Sequence, residues 1–360
     1  MDGIRCSIIR SLLLCLFASL ASCDQSAIRM NEVQVIGSHN SYKIAIEPAL
    51  LAYIGEQNPD WANSLEYSHP TLTKQLDLGL RNLEIDVLYD PEGGYHANPL
   101  GLNIVRQLGI EPLPFDEDKK LSQPGLKVFH IQDVDFRSHN LLFSETLTLL
   151  KHWSDAHPDH LPITILINAK DSSSDFGRKP LVFSKEALGT IDEEIFSYLG
   201  TEEIITPDDV RGEYNTLEQA VLDGGWPTLE ESRGKFLFVL DEREPKRDRY
   251  IDGHPSLRER AMFTNSAEGR PESAFRVINN PVRDLAEIKR LVAAGYMVRT
   301  RADANTVEAR ENNYERFEKA VESGAQVIST DYYIPSMHFA SDFQIIFDDG
   351  RYERVGSDIR

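Results

Sequence analysis

The stretch Leu83-Glu84-Ile85-Asp86-Val87, preceded by a helical lead-in over residues 74–81, decides the fold. Side chains alternate across a strand, so the three apolar residues share one face while Glu84 and Asp86 share the other, roughly 7 Å apart at the backbone. If that face is buried, the repulsion between two carboxylates calls for a cation, and a hard divalent ion held by oxygens meets that need. The alternative is an edge strand whose polar face is solvated.

Further strand candidates share this pattern, because each ends in polar residues and most are separated by segments with helical apolar spacing. Such alternation predicts an α/β protein with a parallel sheet. Eight units predict a closed (β/α)8 TIM-type barrel whose functional groups gather at the carboxyl ends of the strands. The predicted strands are residues 33–38, 83–87, 125–133, 162–167, 235–240, 261–265, 295–303 and 326–332. The clearest predicted helices are residues 141–157, 185–199, 282–294 and 306–323, and the tail from Met337 is predicted to be a hairpin or edge strand.

The N-terminus has the features of an export signal. Arg5 and Arg10 precede or flank an apolar run that is too short to span a bilayer, so we predict a signal peptide at residues 1–22. The run ends in Leu20-Ala21-Ser22-Cys23, which resembles a bacterial lipobox. Lipidation of Cys23 would give an exported, membrane-anchored lipoprotein on the periplasmic or cell-surface side of a bacterium. An ordinary cleavage site with an incidental cysteine is the alternative.

Composition limits what the exported part can be. A chain of 360 residues with 41% hydrophobic composition can bury one large core. We predict a polar linker at residues 23–31, followed by a single catalytic domain at residues 32–360, because no further linker divides the chain. The three cysteines all lie within the first 23 residues, which excludes disulfides and cysteine metal sites from the folded part. The net charge of -20 argues against nucleic-acid binding and favours divalent cations. We expect a monomer.

Polar side chains at the predicted strand ends form a set suited to phosphodiester cleavage. Oxygen atoms of this set can hold a hard metal that activates a hydroxyl and neutralises phosphate charge. One histidine can stabilise the developing charge while the other protonates the leaving oxygen. The set comprises His39, Asn40, Glu84, Asp86, His130, Asn168 and Lys170, together with Arg299 or Arg301.

These residues resemble the catalytic region of calcium-dependent phosphoinositide-specific phospholipases C, and most closely the bacterial proteins of that type. The resemblance rests on His39-Asn40-Ser41-Tyr42, on residues 81–87 with their Glu-x-Asp, on the strand that ends in His130 and on residues 162–168. It covers residues 33–175, and residues 290–333 more loosely. It implies a Ca²⁺-dependent phosphodiesterase that cleaves phosphatidylinositol-like lipids.

The resemblance also implies roles for single residues. His39 matches the histidine that stabilises the pentacoordinate phosphorus, and His130 matches the general acid. Asn40, Glu84 and Asp86 match calcium ligands, and Glu84 also matches the base for the attacking inositol hydroxyl.

Four further positions leave questions open. His96 lies closer in sequence to the Glu-x-Asp strand and is the rival of His130 as general acid. The family has a glutamate as its fourth ligand where this chain has Asn168, a change that lowers the charge of the site and bears on calcium affinity or on which metal binds. Lys170 and Arg301 are predicted substrate contacts, and Arg301 resembles a residue that binds the substrate phosphate.

Two other functions remain as alternatives. A glycerophosphodiester phosphodiesterase shares the barrel and the Glu-x-Asp strand, but it would normally open with His-Arg-Gly, whereas His39 is followed by Asn40-Ser41. A lipoprotein that binds a sugar or a phosphate without turnover would be favoured by the missing glutamate at Asn168. The expected partner is therefore a phospholipid or a glycerophosphodiester.

Overall fold

Eight parallel strands and one antiparallel strand form the centre of the protein, as the computed structural model describes it for residues 27–172 and 177–356. The predicted signal peptide and Cys23 lie outside these described residues. The strands are β1 Val33–Ser38, β2 Asn82–Val87, β3 Ile163–Ala169, β4 Phe236–Leu240, β5 Met262–Thr264, β6 Phe275–Val277, β7 Met297–Arg301, β8 Val327–Thr330 and β9 Glu353–Val355.

Helices connect these strands and pack around them. They are α1 Pro48–Gln57, α2 Pro59–Leu65, α3 Leu72–Leu78, α4 Leu100–Gln107, α5 Phe143–Ala156, α6 Lys185–Leu199, α7 Pro207–Arg211, α8 Leu217–Leu222, α9 Leu229–Ser232, α10 Lys246–Ile251, α11 Pro281–Ala293, α12 Val307–Glu311 and α13 Glu315–Glu322. Short 3₁₀ helices lie at Met30–Glu32, Lys120–Ser122 and Pro255–Leu257.

The strands are hydrogen-bonded in two groups, in the orders β6-β7-β8-β1-β9 and β2-β3-β4-β5. At one seam between the groups, Asn265 after β5 forms a parallel bridge with Phe275 of β6. At the other seam, the Arg81 N–H donates to the carbonyl oxygen of Ile36 over 3.2 Å. The eight parallel strands therefore follow one another in chain order around a (β/α)8 barrel of the TIM type, which confirms the predicted fold class.

Gly37 allows β1 to approach β2 closely at this second seam. A β-carbon at Gly37 would lie 2.3 Å from Cβ of Asn82 and 2.4 Å from its carbonyl oxygen, a distance that no larger residue tolerates. Strand β9 pairs antiparallel with the first half of β1, with Val355 opposite Val33. The tail from Met337, predicted to be a hairpin or edge strand, forms a strand only at Glu353–Val355, whereas apolar side chains of residues 343–347 are buried without strand pairing.

The structure corrects the membership of the barrel. Residues 125–133 were predicted to be a strand, but they form only isolated antiparallel bridges, in which Lys127 pairs with Leu88 and Leu142. They have no place in the sheet because β2 pairs directly with β3 along its full length. The eighth parallel strand is β6, whose three residues are too few to reveal a strand period in the sequence.

Two other boundaries differ from the sequence prediction. The helix predicted over residues 306–323 is two helices, α12 and α13, because Asn312 adopts a positive φ of 53° at the end of the first. The end of the predicted linker is folded onto the barrel, since the Met30 N–H donates to the carbonyl oxygen of Pro227 over 3.0 Å and the Leu229 N–H donates to that of Ile28 over 2.8 Å.

Strand β2 separates an apolar face from a polar one. Leu83, Ile85 and Val87 are fully buried in the main apolar cluster. Burial of each such side chain contributes about 1.5–3 kcal/mol. Glu84 and Asp86 are also buried, at 4% and 1% exposure, so the alternative of a solvated edge strand is wrong.

Candidate active site

Polar side chains from the carboxyl ends of the strands meet at one end of the barrel. His39 and Asn40 directly follow β1, and Asp331 directly follows β8. Glu84 and Asp86 of β2 face the same space as Arg299 and Arg301 of β7, because each pair is spaced by two along its strand. His130 comes from the long connection between β2 and β3.

His39 is held by a buried carboxylate. Its Nδ1 lies 3.0 Å from Oδ1 of Asp331, and its Nε2 lies 3.2 Å from Nη1 of Arg301. A carboxylate only accepts and a guanidinium only donates, so Nδ1 carries the proton and Nε2 is the acceptor. Burial, followed by the charge of Arg301, lowers the pKa of His39 although Asp331 and Glu84 oppose this. The imidazole is therefore neutral near pH 7.

Asp331 is the centre of a charged network at the end of β8. Burial alone would raise the pKa of Asp331, but His39, His69 and Arg301 together hold it well below its usual range. The neighbouring Asp303 has the opposite shift, because burial and the charge of Asp331 raise its pKa to about 7. The two carboxylates thus divide into one that stays ionised and one that is easily protonated.

His130 is held in the same way as His39. Its Nδ1 lies 2.8 Å from Oδ2 of Asp135, and Nζ of Lys43 lies 3.0 Å from the same carboxylate. Asp135 and Lys43 are buried, whereas the side chain of His130 is 17% exposed. Burial would raise the pKa of Asp135, but Lys43 and His130 hold it below its ordinary value. The ionised carboxylate accepts the Nδ1 proton and leaves Nε2 of His130 for a substrate.

The carboxylate of Glu84 accepts hydrogen bonds from two side chains. Nη2 of Arg299 donates to Oε2, and Nδ2 of Asn168 donates to Oε1 over 3.0 Å. Nε2 of His39 lies 3.7 Å from Oε1. Burial would raise the pKa of Glu84, but Arg299, His39, Arg301 and Lys170 hold it below its ordinary value. Glu84 is therefore ionised and is a weak base.

Asp86 differs from Glu84 because its oxygens remain available. Nζ of Lys170 lies 3.0 Å from Oδ2, yet neither carboxylate oxygen accepts a well-formed hydrogen bond from any described residue. Burial would lower the pKa of Lys170, but the charge of Asp86 raises it above its ordinary value. A buried carboxylate that holds one ion pair and no well-formed hydrogen bond is a site at which a cation or a hydroxyl donor can bind.

The predicted metal ligands offer only oxygens in the positions that face this space. The amide nitrogen of Asn40 donates to the hydroxyl of Tyr67 over 2.7 Å, which leaves its oxygen as the free polar atom. The oxygens of Asn40 and Asp86 are the type of ligand atom that a hard ion such as calcium prefers. No group of three or more His, Cys, Asp or Glu side chains in residues 27–172 and 177–356 is arranged to hold a metal. A calcium ion would thus share these carboxylates with Arg299 and Lys170.

His96 lies apart from this site. It packs edge-on against Tyr95 and Phe129, with ring centroids 5.1 and 5.2 Å away, and both of its nitrogens lack a hydrogen-bond partner among the described residues. Burial lowers its pKa to about 4. Such a histidine is a neutral packing residue, and nothing in its surroundings connects it with His39.

Several residues of the site were not assigned a role from the sequence. Asp331 ends the last parallel strand, so the rule that located His39 could have found it. Arg299 stands two positions before Arg301 and shares its face. Asp135 lies five residues after His130 and could have been considered as its partner, whereas Lys43 carried no local signal because only the fold brings it to Asp135.

Comparisons with known proteins bear on the family and the fold. Residues 28–356 match the profile of the family described as phosphoinositide phospholipase C, Ca²⁺-dependent. A calcium-dependent phosphoinositol-specific phospholipase C from Pseudomonas sp., in a myo-inositol complex, is 17% identical over 91% of this chain and 96% of its own, with a TM-score of 0.53. A Ca²⁺-dependent phosphatidylinositol-specific phospholipase C from Streptomyces antibioticus is 19% identical over 85% of this chain and 96% of its own, with a TM-score of 0.51. At these identities the structural likeness establishes a common fold. No curated protein matches.

Proposed function

The chain belongs to the calcium-dependent phosphoinositide phospholipase C family, and from that premise we propose which residues carry its reaction. It is a phosphoric diester hydrolase, a calcium-dependent phosphodiesterase of the phosphoinositide phospholipase C type, and the predicted family, enzyme class and cofactor are confirmed. We propose that a hydroxyl of the substrate's own inositol ring attacks the phosphorus. The products are then diacylglycerol and a cyclic inositol phosphate.

The observation that carries this proposal is the pair of matched histidines. His39 and His130 are each about one-sixth exposed, and each donates its Nδ1 proton to a buried carboxylate, Asp331 or Asp135. Nε2 of His130 is therefore open to the substrate, to give a proton. Nε2 of His39, which accepts from Arg301, can take a proton once that guanidinium binds the phosphate instead.

We assign the proton acceptor to His39. Its lowered pKa keeps the imidazole neutral and able to accept at Nε2. Glu84, to which the resemblance gives this role, is a poorer base because Arg299 holds its pKa low. Arg301 lies 3.2 Å from Nε2 of His39, so a phosphate bound by that guanidinium would lie beside the base.

We assign the general acid to His130. The leaving oxygen of diacylglycerol must receive a proton as the bond to phosphorus breaks, and Nε2 of His130 is the atom that supplies it. The carboxylate of Asp135, 2.8 Å from Nδ1, accepts the Nδ1 proton and orients the ring so that Nε2 can make the transfer. Nζ of Lys43 lies 3.0 Å from both oxygens of this carboxylate and keeps it ionised after transfer.

Calcium, when bound by the oxygens of Asn40, Glu84, Asp86 and Asn168, supplies the positive charge that lowers the pKa of the attacking hydroxyl and offsets charge on the phosphate. The buried carboxylate of Asp86, which has an ion pair with Lys170 but accepts no well-formed hydrogen bond, supports this ligand set. Lys170 beside Asp86 and Arg301 beside His39 are positioned to contact the phosphodiester or the inositol ring.

Phosphorus NMR of the early reaction tests this function. We expect phosphatidylinositol to give a cyclic inositol phosphate signal that disappears with excess EGTA, and glycerophosphocholine to give almost no product. Turnover of glycerophosphocholine without turnover of phosphatidylinositol would instead support a glycerophosphodiester phosphodiesterase. A binding lipoprotein without activity predicts no turnover of either compound.

We also infer that the protein is exported by its signal peptide and anchored to a bacterial membrane through lipidated Cys23, as a monomer. The support is the lipobox pattern at residues 20–23. Among the residues that the structure describes, no helix has the length and apolar character to cross a membrane.

A further inference from the structure

Tyr67 contacts both halves of the site, although no step of the proposed reaction uses it. It lies in the connection between β1 and β2 and is 3% exposed. Its ring stacks on the imidazole of His39, with ring centroids 6.1 Å apart, and Nζ of Lys43 lies 4.9 Å from the centroid of the same ring. Its hydroxyl accepts a hydrogen bond from Nδ2 of Asn40 over 2.7 Å. One buried tyrosine thus contacts the proposed proton acceptor, a predicted calcium ligand and the lysine that supports the other histidine.

The hydroxyl of Tyr67 decides which atom of Asn40 faces the open site. The Asn40 side chain ends in an amide that has an oxygen on one side and two N–H donors on the other. Only the oxygen can bind a cation such as calcium. Because the hydroxyl binds the nitrogen, the oxygen is the atom left for the ion. Asn40 is itself 2% exposed and has a left-handed φ of 45°, so its backbone is confined as well.

The ring of Tyr67 restrains two further side chains. Stacking against the ring limits the tilt of the His39 imidazole. The face of the ring also attracts the ammonium of Lys43, which lies 3.0 Å from the carboxylate of Asp135. This carboxylate holds Nδ1 of His130 over 2.8 Å, so the ring also supports the general acid, through two intermediate side chains.

The segment that carries Tyr67 is bound to the same turn. The His69 N–H donates to the carbonyl oxygen of Lys43 over 3.0 Å, and Nε2 of His69 donates to the carbonyl oxygen of His39 over 2.8 Å. The His69 ring packs edge-on against Tyr67, with ring centroids 5.7 Å apart. Tyr67 is therefore held against Asn40 from both sides of that residue, and its orientation is set before any ligand binds.

We propose that Tyr67 is a positioning residue for this reaction, which turns the oxygen of Asn40 toward calcium through its hydroxyl and aligns His39 and Lys43 through its ring. This proposal rests on the proposed function, because Asn40 and His39 have their roles only in that reaction. The hydroxyl acts on calcium affinity, whereas the ring acts on the proton transfers. Phenylalanine removes only the hydroxyl, so the two effects can be measured separately.

Calorimetric titration with Ca²⁺ tests the role of the hydroxyl. In Tyr67→Phe, Nδ2 of Asn40 loses its acceptor and turns to the open site, and calcium must turn it back. We expect the dissociation constant to rise on the order of tenfold, and excess calcium to recover most of the lost turnover. Tyr250→Phe is the matched control, because it removes a buried hydroxyl that donates to Asp192 over 2.7 Å and contacts none of the predicted ligands. It should bind calcium as the wild type does.

Asn40→Asp separates amide orientation from a general loss of structure. Aspartate has oxygens on both sides of its terminal group, so no donor can turn toward the ion. We therefore expect Tyr67→Phe to change the dissociation constant by less than about twofold in the Asn40→Asp background. An equal loss of affinity in both backgrounds, or an equal loss in Tyr250→Phe, would overturn the role of the hydroxyl, as would wild-type affinity in Tyr67→Phe.

Tyr67→Leu tests the ring. We expect its turnover of phosphatidylinositol at saturating calcium to stay on the order of tenfold below that of Tyr67→Phe, because the contacts with His39 and Lys43 are lost. Equal turnover by the two variants would overturn the role of the ring. A wild type that binds calcium but does not turn over phosphatidylinositol would instead refute the proposed function, while the calcium titrations would still report on the hydroxyl.

Discussion

Arg299 of β7 reaches across the barrel to Glu84 of β2, and its guanidinium Nη2 donates a hydrogen bond to the Glu84 carboxylate. Both side chains are buried. The charge of a predicted calcium ligand is thus already balanced by the protein. A calcium ion at this site must compete with a guanidinium for one carboxylate, so Arg299 sets part of the cost of binding the metal.

Replacement of Arg299 by glutamine should therefore tighten calcium binding while it destabilises the metal-free protein. We expect the dissociation constant for Ca²⁺ to fall on the order of tenfold, because Glu84 is freed. The free energy of unfolding without calcium should fall by about 3–5 kcal/mol, because Glu84 is left buried without its partner. Titration calorimetry measures the first effect, and chemical denaturation with and without calcium measures the second.

The buried ion pair of Arg260 and Asp192 supplies the control, since it joins two outer elements at 3.2 Å and touches none of the predicted ligands. Arg260→Gln should lose stability without any change in calcium affinity. If Arg299→Gln binds calcium no more tightly than Arg260→Gln does, Arg299 is not a competitor of the metal.

His96 should make the protein less stable in acid. Its pKa is about 4 in the folded protein, because burial disfavours the charged form, against an ordinary value of 6.5. A lowered folded pKa means that its contribution to stability is complete above pH 6.5 and is lost as the pH falls through 4. The loss amounts to about 3 kcal/mol.

His96→Phe keeps an aromatic ring between Tyr95 and Phe129 and cannot take up a proton. We therefore expect urea denaturation to show a smaller loss of stability between pH 6.5 and 4 for this variant than for the wild type. His152→Phe, at an exposed position of α5, is the matched control and should retain the wild-type slope. A His96→Phe variant with an unchanged slope would contradict the neutral, structural assignment.

The sequence predicted the barrel because most of its strands and helices carry their period locally. The helix over residues 185–199 is found with the predicted bounds, and β2 differs by one residue. The predicted strands were wrong where pairing between distant segments decides which residues join the sheet. Residues 125–133 have the composition of a strand, but β2 and β3 form their backbone hydrogen bonds with each other and leave no room between them. Strand β6 has only three residues and is too short to show a strand pattern.

In the candidate site too, the residues that follow a local sequence pattern could be predicted, and those that depend on tertiary contacts could not. Glu84 and Asp86 could be placed on one face because the strand period is two, although the sequence left open whether that face is buried, and the strand-end rule brought His39 into the same space. The partner of His39, and the lysine that supports the partner of His130, depend on contacts between distant segments. His39 and Asp331 are separated by 292 residues, and Lys43 reaches Asp135 across 92. No helical or strand periodicity in the sequence predicts a contact between residues so far apart.

The Cys23 prediction concerns residues that the structure does not describe. If Cys23 is lipidated, the wild type should partition with membranes, and Cys23→Ser should appear in the soluble exported fraction. Fractionation and mass measurement of the mature N-terminus check this. Recovery of wild-type protein as an unmodified soluble species would disprove lipidation.

The roles of the two histidines differ in their dependence on the leaving group. His39→Ala and His130→Ala should each lower turnover of phosphatidylinositol by about a hundredfold or more, since each removes one proton transfer. With an inositol phosphodiester that carries 4-nitrophenol, the leaving oxygen needs no proton, so the His130→Ala variant should regain most of its rate while His39→Ala should not.

Asp135→Asn should follow His130 in this comparison with a smaller loss, because Asp135 acts only through Nδ1 of that imidazole. Asp331→Asn should follow His39 and remain slow with both leaving groups. The His96→Ala variant is the control for the rival acid and should keep its activity on both substrates. Recovery of His39→Ala, rather than His130→Ala, on the nitrophenyl substrate would exchange the two roles, and a His96→Ala variant that is inactive on lipid but active on the nitrophenyl ester would move the general acid to His96.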